Sequence, residues 1–171
     1  MASAPPRSRR VRGIVVVNRQ RAVRLIPRAV RDLASRVLDS EHVGAPLGVN
    51  IVVLGPRAMR RYNRDFMGHD WATDVLSFPA QEPLRAAPTD IPTVGDVIVS
   101  AACAIEYARA HGRAVDEELG RYIVHGVLHC LGYDDTTNAA RAAMTVRQEQ
   151  VLRQWRAAGG GRVCLIPRKS C

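Results

Sequence analysis

Several features are missing from this 171-residue chain, and each absence narrows what it can be. No apolar run approaches the ~18 residues that a membrane-spanning helix needs. The early run Ile14-Val15-Val16-Val17 is cut by Asn18-Arg19, so it does not read as the apolar part of a secretory signal either. The four cysteines, at 103, 130, 164 and 171, lack paired spacings such as C-x-x-C. That argues against a disulfide framework and against cysteine-ligated metal, and fits reduced thiols in a cytoplasmic protein. No internal repeat is visible. Lysine is nearly absent, with Lys169 alone among 25 basic side chains.

What is present is an ordinary globular composition, 47% apolar and 24% charged, at a length that suits one domain with a real core. The formal charge of +9 is unevenly placed. Residues 1–36 hold ten arginines against the single acid Asp32, while residues 37–171 carry fifteen basic and fifteen acidic side chains. A concentrated basic segment points to a polyanion, most often nucleic acid, although a solvated tail would give the same asymmetry.

Residues 1–12 are Ala, Pro, Ser and Arg with one Val, and read as a disordered basic arm ahead of a domain over 13–157. They also resemble a transit peptide but lack amphipathic periodicity. Strands are expected at Gly13–Asn18, Val49–Leu54, Thr73–Phe78 and Gly95–Val99. Helices are expected from Pro27 to about Ser40, from Pro56 to about Phe66, and over Ala101–Ala110 after a Ser100 cap. Two more are expected from an Asp116 cap to about Leu131, and from about Asn138 to Arg156. Pro79 is expected to stop the third strand, residues 80–93, with Pro83, Pro88 and Pro92, read as a loop or hairpin, and 158–171 as a flexible tail. The fold class is therefore α/β, with α+β character: a single mixed sheet of about four strands packed with about five helices.

The helix before Gly132 is apolar around most of its circumference, which marks it as central and buried. Its narrow polar face holds Glu118, Arg121, His125 and His129. His125 and His129 are i, i+4 neighbours, a spacing that lets two imidazoles share one metal. Gly132 can end the helix in the left-handed conformation and bring Asp134 and Asp135 back toward the histidines. The string H-x-x-x-H-x-x-G-x-x-D supplies three ligands, His125, His129 and Asp135, with a fourth position for water. A metalloprotease would need Glu after the first histidine, and Gly126 stands there. Phosphodiester cleavage by metal-bound water, with arginines on the phosphate, fits better.

The run His125-Gly126-Val127-Leu128-His129-Cys130-Leu131-Gly132-Tyr133-Asp134-Asp135 resembles the YbeY-family signature H-G-x-L-H-L-x-G-Y-D-H. Thr73-Asp74-Val75-Leu76-Ser77-Phe78-Pro79 is similar to the family's T-D-V-L-S-F-P, Gly95-Asp96-Val97 to its G-D-I, and Met144 with Glu149 to its M-x-x-x-x-E. The resemblance spans residues 47–155. It implies a zinc-dependent endoribonuclease, one Zn2+ per chain, that cuts single-stranded RNA in ribosomal RNA maturation and ribosome quality control. Precursor ribosomal RNA and the small ribosomal subunit are the implied partners. The alternative is a non-catalytic ribosome assembly factor whose zinc is structural.

Two departures matter. Asp135 stands where the family usually has His, and its charge is expected to leave a bound water less acidified than three imidazoles would. The family's N-x-x-[YF]-R string commonly ends in an arginine held important for activity; here Asn63-Arg64-Asp65-Phe66 is followed by Met67. The phosphate role is therefore expected at Arg64 or Arg60, as the catalytic arginines. Arg57, Arg61, Asn63, Thr73 and Ser77 are the expected substrate-binding residues. The basic start, outside the strongest match, is expected to dock on ribosomal RNA.

Overall fold

The computed structural model describes residues 13–44, 46–80 and 92–167. In chain order these form β1 (Ile14–Arg19), β2 (Arg24–Leu25), α1 (Pro27–Ser40), β3 (Gly48–Leu54), α2 (Pro56–Met67) and β4 (Val75–Pro79). They continue with β5 (Thr93–Ser100), α3 (Ala101–Ala110), α4 (Val115–Cys130), α5 (Asn138–Ala157) and β6 (Cys164–Leu165). The main sheet has the order β1-β3-β5-β4. β1, β3 and β5 run parallel and β4 closes the edge antiparallel to β5, so the sheet is mixed, as expected.

Alternation along the strands sorts the two faces. Val49, Ile51, Val53, Val97 and Val99 point into the main core, where α1, α3, α4 and α5 lie. Leu54, Leu76 and Ile98 point the other way, against Met59 of α2. α4 is the centre of the main layer, packed on β4 and β5 and also on α1, α3 and α5. Its Leu119, Ile123 and Leu128 are fully buried, each stabilising the fold by about 1.5–3 kcal/mol relative to exposure. No described helix is long and apolar enough to cross a membrane.

The expected helices are present with small changes of boundary. Pro27 and Pro56 open α1 and α2, and the Ser100 hydroxyl accepts from the Cys103 N–H as a cap. Asp116 is not a cap: α4 starts one residue earlier after Ala114, and Asp116 joins Glu117 and Glu118 in its acidic first turn, where negative charge favours the helix dipole. Thr73 and Asp74 precede β4, and Pro79 is its last residue rather than a stop. β4 is an edge strand, where proline's missing N–H is tolerated.

The tail after Gly161 is not free throughout. Cys164 and Leu165 pair antiparallel with Leu25 and Arg24, the Ile26 N–H donates to the Val163 carbonyl at 2.8 Å, and Val163 and Cys164 are buried. Pairing across the length of the domain supplies the order that local composition does not. The basic arm 1–12, much of the proline-rich segment and the last four residues, Cys171 among them, lie outside the described residues.

Candidate metal centre

α4 presents His125 and His129 one turn apart, half-buried, with their Nε2 atoms 3.1 Å from each other. Gly132 then takes φ 91°, and the Gly132 and Tyr133 N–H groups close back on the His129 and Leu128 carbonyls at 3.0 and 3.1 Å. The chain reverses there, because a left-handed residue after the helix is cheap only for glycine. That turn puts Asp135 Oδ2 3.7 Å from His129 Nε2 and 3.9 Å from His125 Nε2. The neighbouring Asp134 is used otherwise. Its carboxylate accepts from the Thr136 hydroxyl at 2.6 Å and the Thr136 N–H at 3.0 Å, which holds it below the usual carboxylate range.

The histidines are set up as ligands. His129 Nδ1 lies 2.9 Å from the Tyr133 carbonyl, which fixes the proton on Nδ1 and leaves the Nε2 lone pair facing the centre. Burial, and next the His129 ring, push His125 below the ordinary histidine range, favouring the neutral ligating form. Tyr133 is itself braced. Its hydroxyl donates to Glu41 at 2.8 Å, and Arg147 donates to the same carboxylate at 2.6 Å and to the Ser40 carbonyl at 2.7 Å. The ends of α1 and the middle of α5 thereby hold the loop that carries Asp135.

This donor set fits a zinc ion. Two imidazole nitrogens and a carboxylate oxygen all lie within 4.8 Å of one another. The edge of a tetrahedron with ~2.0–2.1 Å bonds is about 3.3 Å, and the observed separations of 3.1, 3.7 and 3.9 Å bracket it. Among the described residues, no fourth protein ligand joins the group. Cys130 points to the sheet, its Sγ 3.8 Å from the Asp96 carbonyl, and burial pushes the thiol up to about 12.

Gly126 has a steric reason. A Cβ at this position would lie 2.3 Å from Val97 Cγ1, 3.1 Å from Val75 Cγ2 and 3.2 Å from Ser77 Oγ. The position after the first histidine therefore faces the sheet, where a glutamate base has no room.

The three donors open into a cleft of about 590 Å3 whose far wall is β4 and the end of α2. Of the residues expected to bind substrate, Ser77 lines this cleft, and its buried Oγ has no hydrogen-bond partner among the described residues. Asn63 does not: it is buried at 2% exposure, its amide donating to the Trp71 carbonyl at 2.9 Å. Thr73 donates to Asp74 at 3.1 Å and stands outside the lining. Arg57, Arg60, Arg61 and Arg64 are exposed on α2, and none of them lines the cleft. Arg60 forks onto Asp70 at 2.9 and 2.6 Å, and Arg64 sits 3.0 Å from Asp65.

Met67 does line the cleft, at 47% exposure, so it is a surface of the site and not simple packing. Asp74 also lines it, a site residue absent from the expected substrate-binding set. Its signal is an acid directly before a strand, where its carboxylate accepts from the Val75 N–H at 2.9 Å. Glu118, on the histidine face, is a buried ion-pair partner of Arg121 at 3.1 Å, and Arg121 continues to Glu149 of α5 at 2.8 Å. The cleft thus has two carboxylates and two imidazoles and, among the described residues, no lining arginine or lysine. A phosphodiester would be repelled from it unless a cation were bound.

Residues 15–156 match the family described as endoribonuclease YbeY. A relative of that name from Moorella thermoacetica is 34% identical over 145 residues, covering 80% of this chain and 93% of the relative. One from Anaeromyxobacter sp. (strain Fw109-5) is 43% identical over 105 residues, 61% of this chain and 53% of the relative. A second, from Anaeromyxobacter dehalogenans, is 41% identical over 105 residues, 61% of this chain and 52% of the relative. This chain spans about half the length of those two Anaeromyxobacter proteins. Among solved structures, the solution structure of a Thermotoga maritima protein superposes with a TM-score of 0.56 over 85% of this chain and 93% of that one. At 22% identity, that likeness is one of fold.

Proposed function

The chain belongs to the YbeY family, and from that premise we propose that it is a zinc-dependent endoribonuclease that cuts single-stranded RNA during ribosomal RNA maturation. The observation that carries the chemistry is the acidic, imidazole-lined cleft with three gathered donors, His125, His129 and Asp135. A zinc ion held there would supply Lewis acidity toward the phosphodiester and lower the pKa of water for the attack. The chain's own residues do the rest. His129 is held in the ligating tautomer by the Tyr133 carbonyl, and Asp74 offers a carboxylate on the opposite wall, while the Ser77 hydroxyl is buried behind it. The exposed α2 arginines, Arg57 and Arg61 and, once released from Asp70 and Asp65, Arg60 and Arg64, would steer RNA phosphates toward the cleft. The basic start docks on ribosomal RNA of the small subunit in the cytoplasm.

A structural zinc in a non-catalytic assembly factor would ordinarily be closed by four protein ligands. The three-donor group opening on a cleft supports the enzyme reading instead. The test is zinc content and RNA cleavage for the wild type beside His129→Ala. The expected result is one zinc per chain, cleavage of single-stranded RNA over duplex, and loss of both zinc and cleavage in the variant. Equal cleavage by both proteins would sink the proposal. A zinc-loaded wild type that binds RNA without cutting it would favour the assembly factor.

A further inference from the structure

Large apolar side chains gather on one exposed stretch between the end of α2 and the start of β4: Phe66 is 62% exposed, Met67 47% and Trp71 58%. Met67 is part of the cleft wall. Phe66 stacks on Tyr62 with ring centroids 5.7 Å apart and meets Phe78 edge-on at 5.3 Å. Phe78 lies between Ser77 and Pro79, both on the cleft wall. Past the helix end, the His69 and Trp71 rings are stacked at 4.5 Å with 12° between their planes.

The turn that carries these rings is firmly held. The Asn63 amide donates to the Trp71 carbonyl at 2.9 Å, the His69 N–H to the Asn63 carbonyl at 3.3 Å, and Arg60 grips Asp70 through two bonds. Polar groups thus fix the backbone while the indole stays out in water. The second tryptophan shows the ordinary arrangement: Trp155 is 3% exposed and donates to Asp32 at 2.8 Å. A rigidly mounted, solvated ring surface costs apolar exposure with no internal return. The same helix carries four arginines, Arg57, Arg60, Arg61 and Arg64, against the local acids Asp65 and Asp70, so the surround is cationic. Aromatic faces interleaved with arginines suit one class of partner, nucleic acid whose bases are unstacked and whose phosphates run alongside.

Resting on the endoribonuclease reading above, we propose that Phe66 and the His69–Trp71 pair form a base-stacking platform beside the metal cleft. Single-stranded RNA lays its bases on the platform, while the exposed Arg57 and Arg61 of α2 follow its backbone. Duplex RNA is passed over because its bases are already stacked. The platform is thereby a specificity surface for unpaired RNA, and Trp71 is a substrate-positioning residue outside the metal ligands.

Trp71 is the sole solvent-exposed tryptophan, so its fluorescence reports the contact directly. The zinc-loaded full chain is titrated with a single-stranded 2′-O-methyl oligoadenylate and with a blunt duplex, reading tryptophan fluorescence and anisotropy. KM and kcat are then measured on cleavable single-stranded RNA for the wild type, Trp71→Ala and Trp71→Phe. The expected result is quenching by the single strand and little by the duplex. Trp71→Ala should weaken single-strand binding and raise KM by about 10-fold, the effect of losing one stacked base, with kcat held and most of the loss restored in Trp71→Phe. Anisotropy-detected binding without quenching, equal quenching by duplex, or an unchanged KM in Trp71→Ala would each overturn the platform. If the wild type cleaves single strands while Trp71→Ala keeps its KM, the platform fails and the endoribonuclease reading stands. If the wild type quenches and binds but never cuts, the enzyme reading fails and the platform stands.

Discussion

Adding one methyl group at Gly126 should destabilise the protein, although alanine is otherwise the better residue inside a helix. The propensity term alone favours Gly126→Ala by ~0.8–1 kcal/mol. Against it, the new Cβ would lie 2.3 Å from Val97 Cγ1, with Val75 Cγ2 at 3.1 Å. Ordinary carbon contacts are about 3.5–4.0 Å, so the overlap with Val97 exceeds 1 Å by roughly half that again. Val97 is fully buried on a central strand and has no open space to turn into. Overpacking of this kind costs about 1–3 kcal/mol, and an overlap this deep belongs in the upper half. The net expectation is a loss of about 1–2 kcal/mol, or about 2–8 °C in Tm for a chain of this size. Urea and thermal unfolding of the apo protein measure it. Pairing the change with Val97→Ala, which removes the colliding methyl, should make the double variant less damaged than the two singles added together by about 1 kcal/mol. If Gly126→Ala proves more stable than the wild type, or the pair is additive, helix and sheet are not in the contact described. The same contact explains why this position cannot supply the carboxylate base of a protease.

Met67→Arg restores a cation to the cleft wall and should steepen the salt dependence of single-stranded RNA binding by about 0.7 in log–log slope, one phosphate contact's worth; an unchanged slope would place Met67 off the phosphate path. Glu149 sits partly buried, which by itself raises its pKa, but the hydrogen bond and charge of Arg121 outweigh burial and hold it below the usual carboxylate range. A carboxylate depressed in the folded state contributes stability above its unfolded pKa of about 4.3 and loses it as pH falls through the folded value. The wild type should therefore exceed Glu149→Gln in urea stability at pH 7, with the gap closing only below about pH 4.3; a gap that persists undiminished at pH 2 would contradict the ion pair.

The parts of this molecule that could be read in advance are those whose signal is local. His125, His129, Gly132 and Asp135 fall within eleven consecutive residues, so helix periodicity and one left-handed turn suffice to bring them together. α1 was legible for the same reason, its buried Val30, Leu33, Val37 and Leu38 recurring on one face. The opposite wall of the cleft was legible at Ser77 but not at Met67 and Asp74, which reach it only through the antiparallel pairing of β4 with β5 and the packing of α2 behind it. Asn63 misled for a different reason. A polar residue amid arginines reads as surface, but its amide satisfies a carbonyl eight residues on and is buried in doing so. β2 and β6 escaped altogether, since two-residue strands carry no periodicity and find each other only across the folded domain.

That last pair has a consequence in time. Arg24 meets Leu165, and the Ile26 N–H at the mouth of α1 finds its acceptor at Val163. A chain made from its N-terminus at about 5–20 residues per second holds the beginning of this latch many seconds before the end exists. Until residues 163–165 have been made, the approach to α1 waits open, next to the most basic part of the sequence.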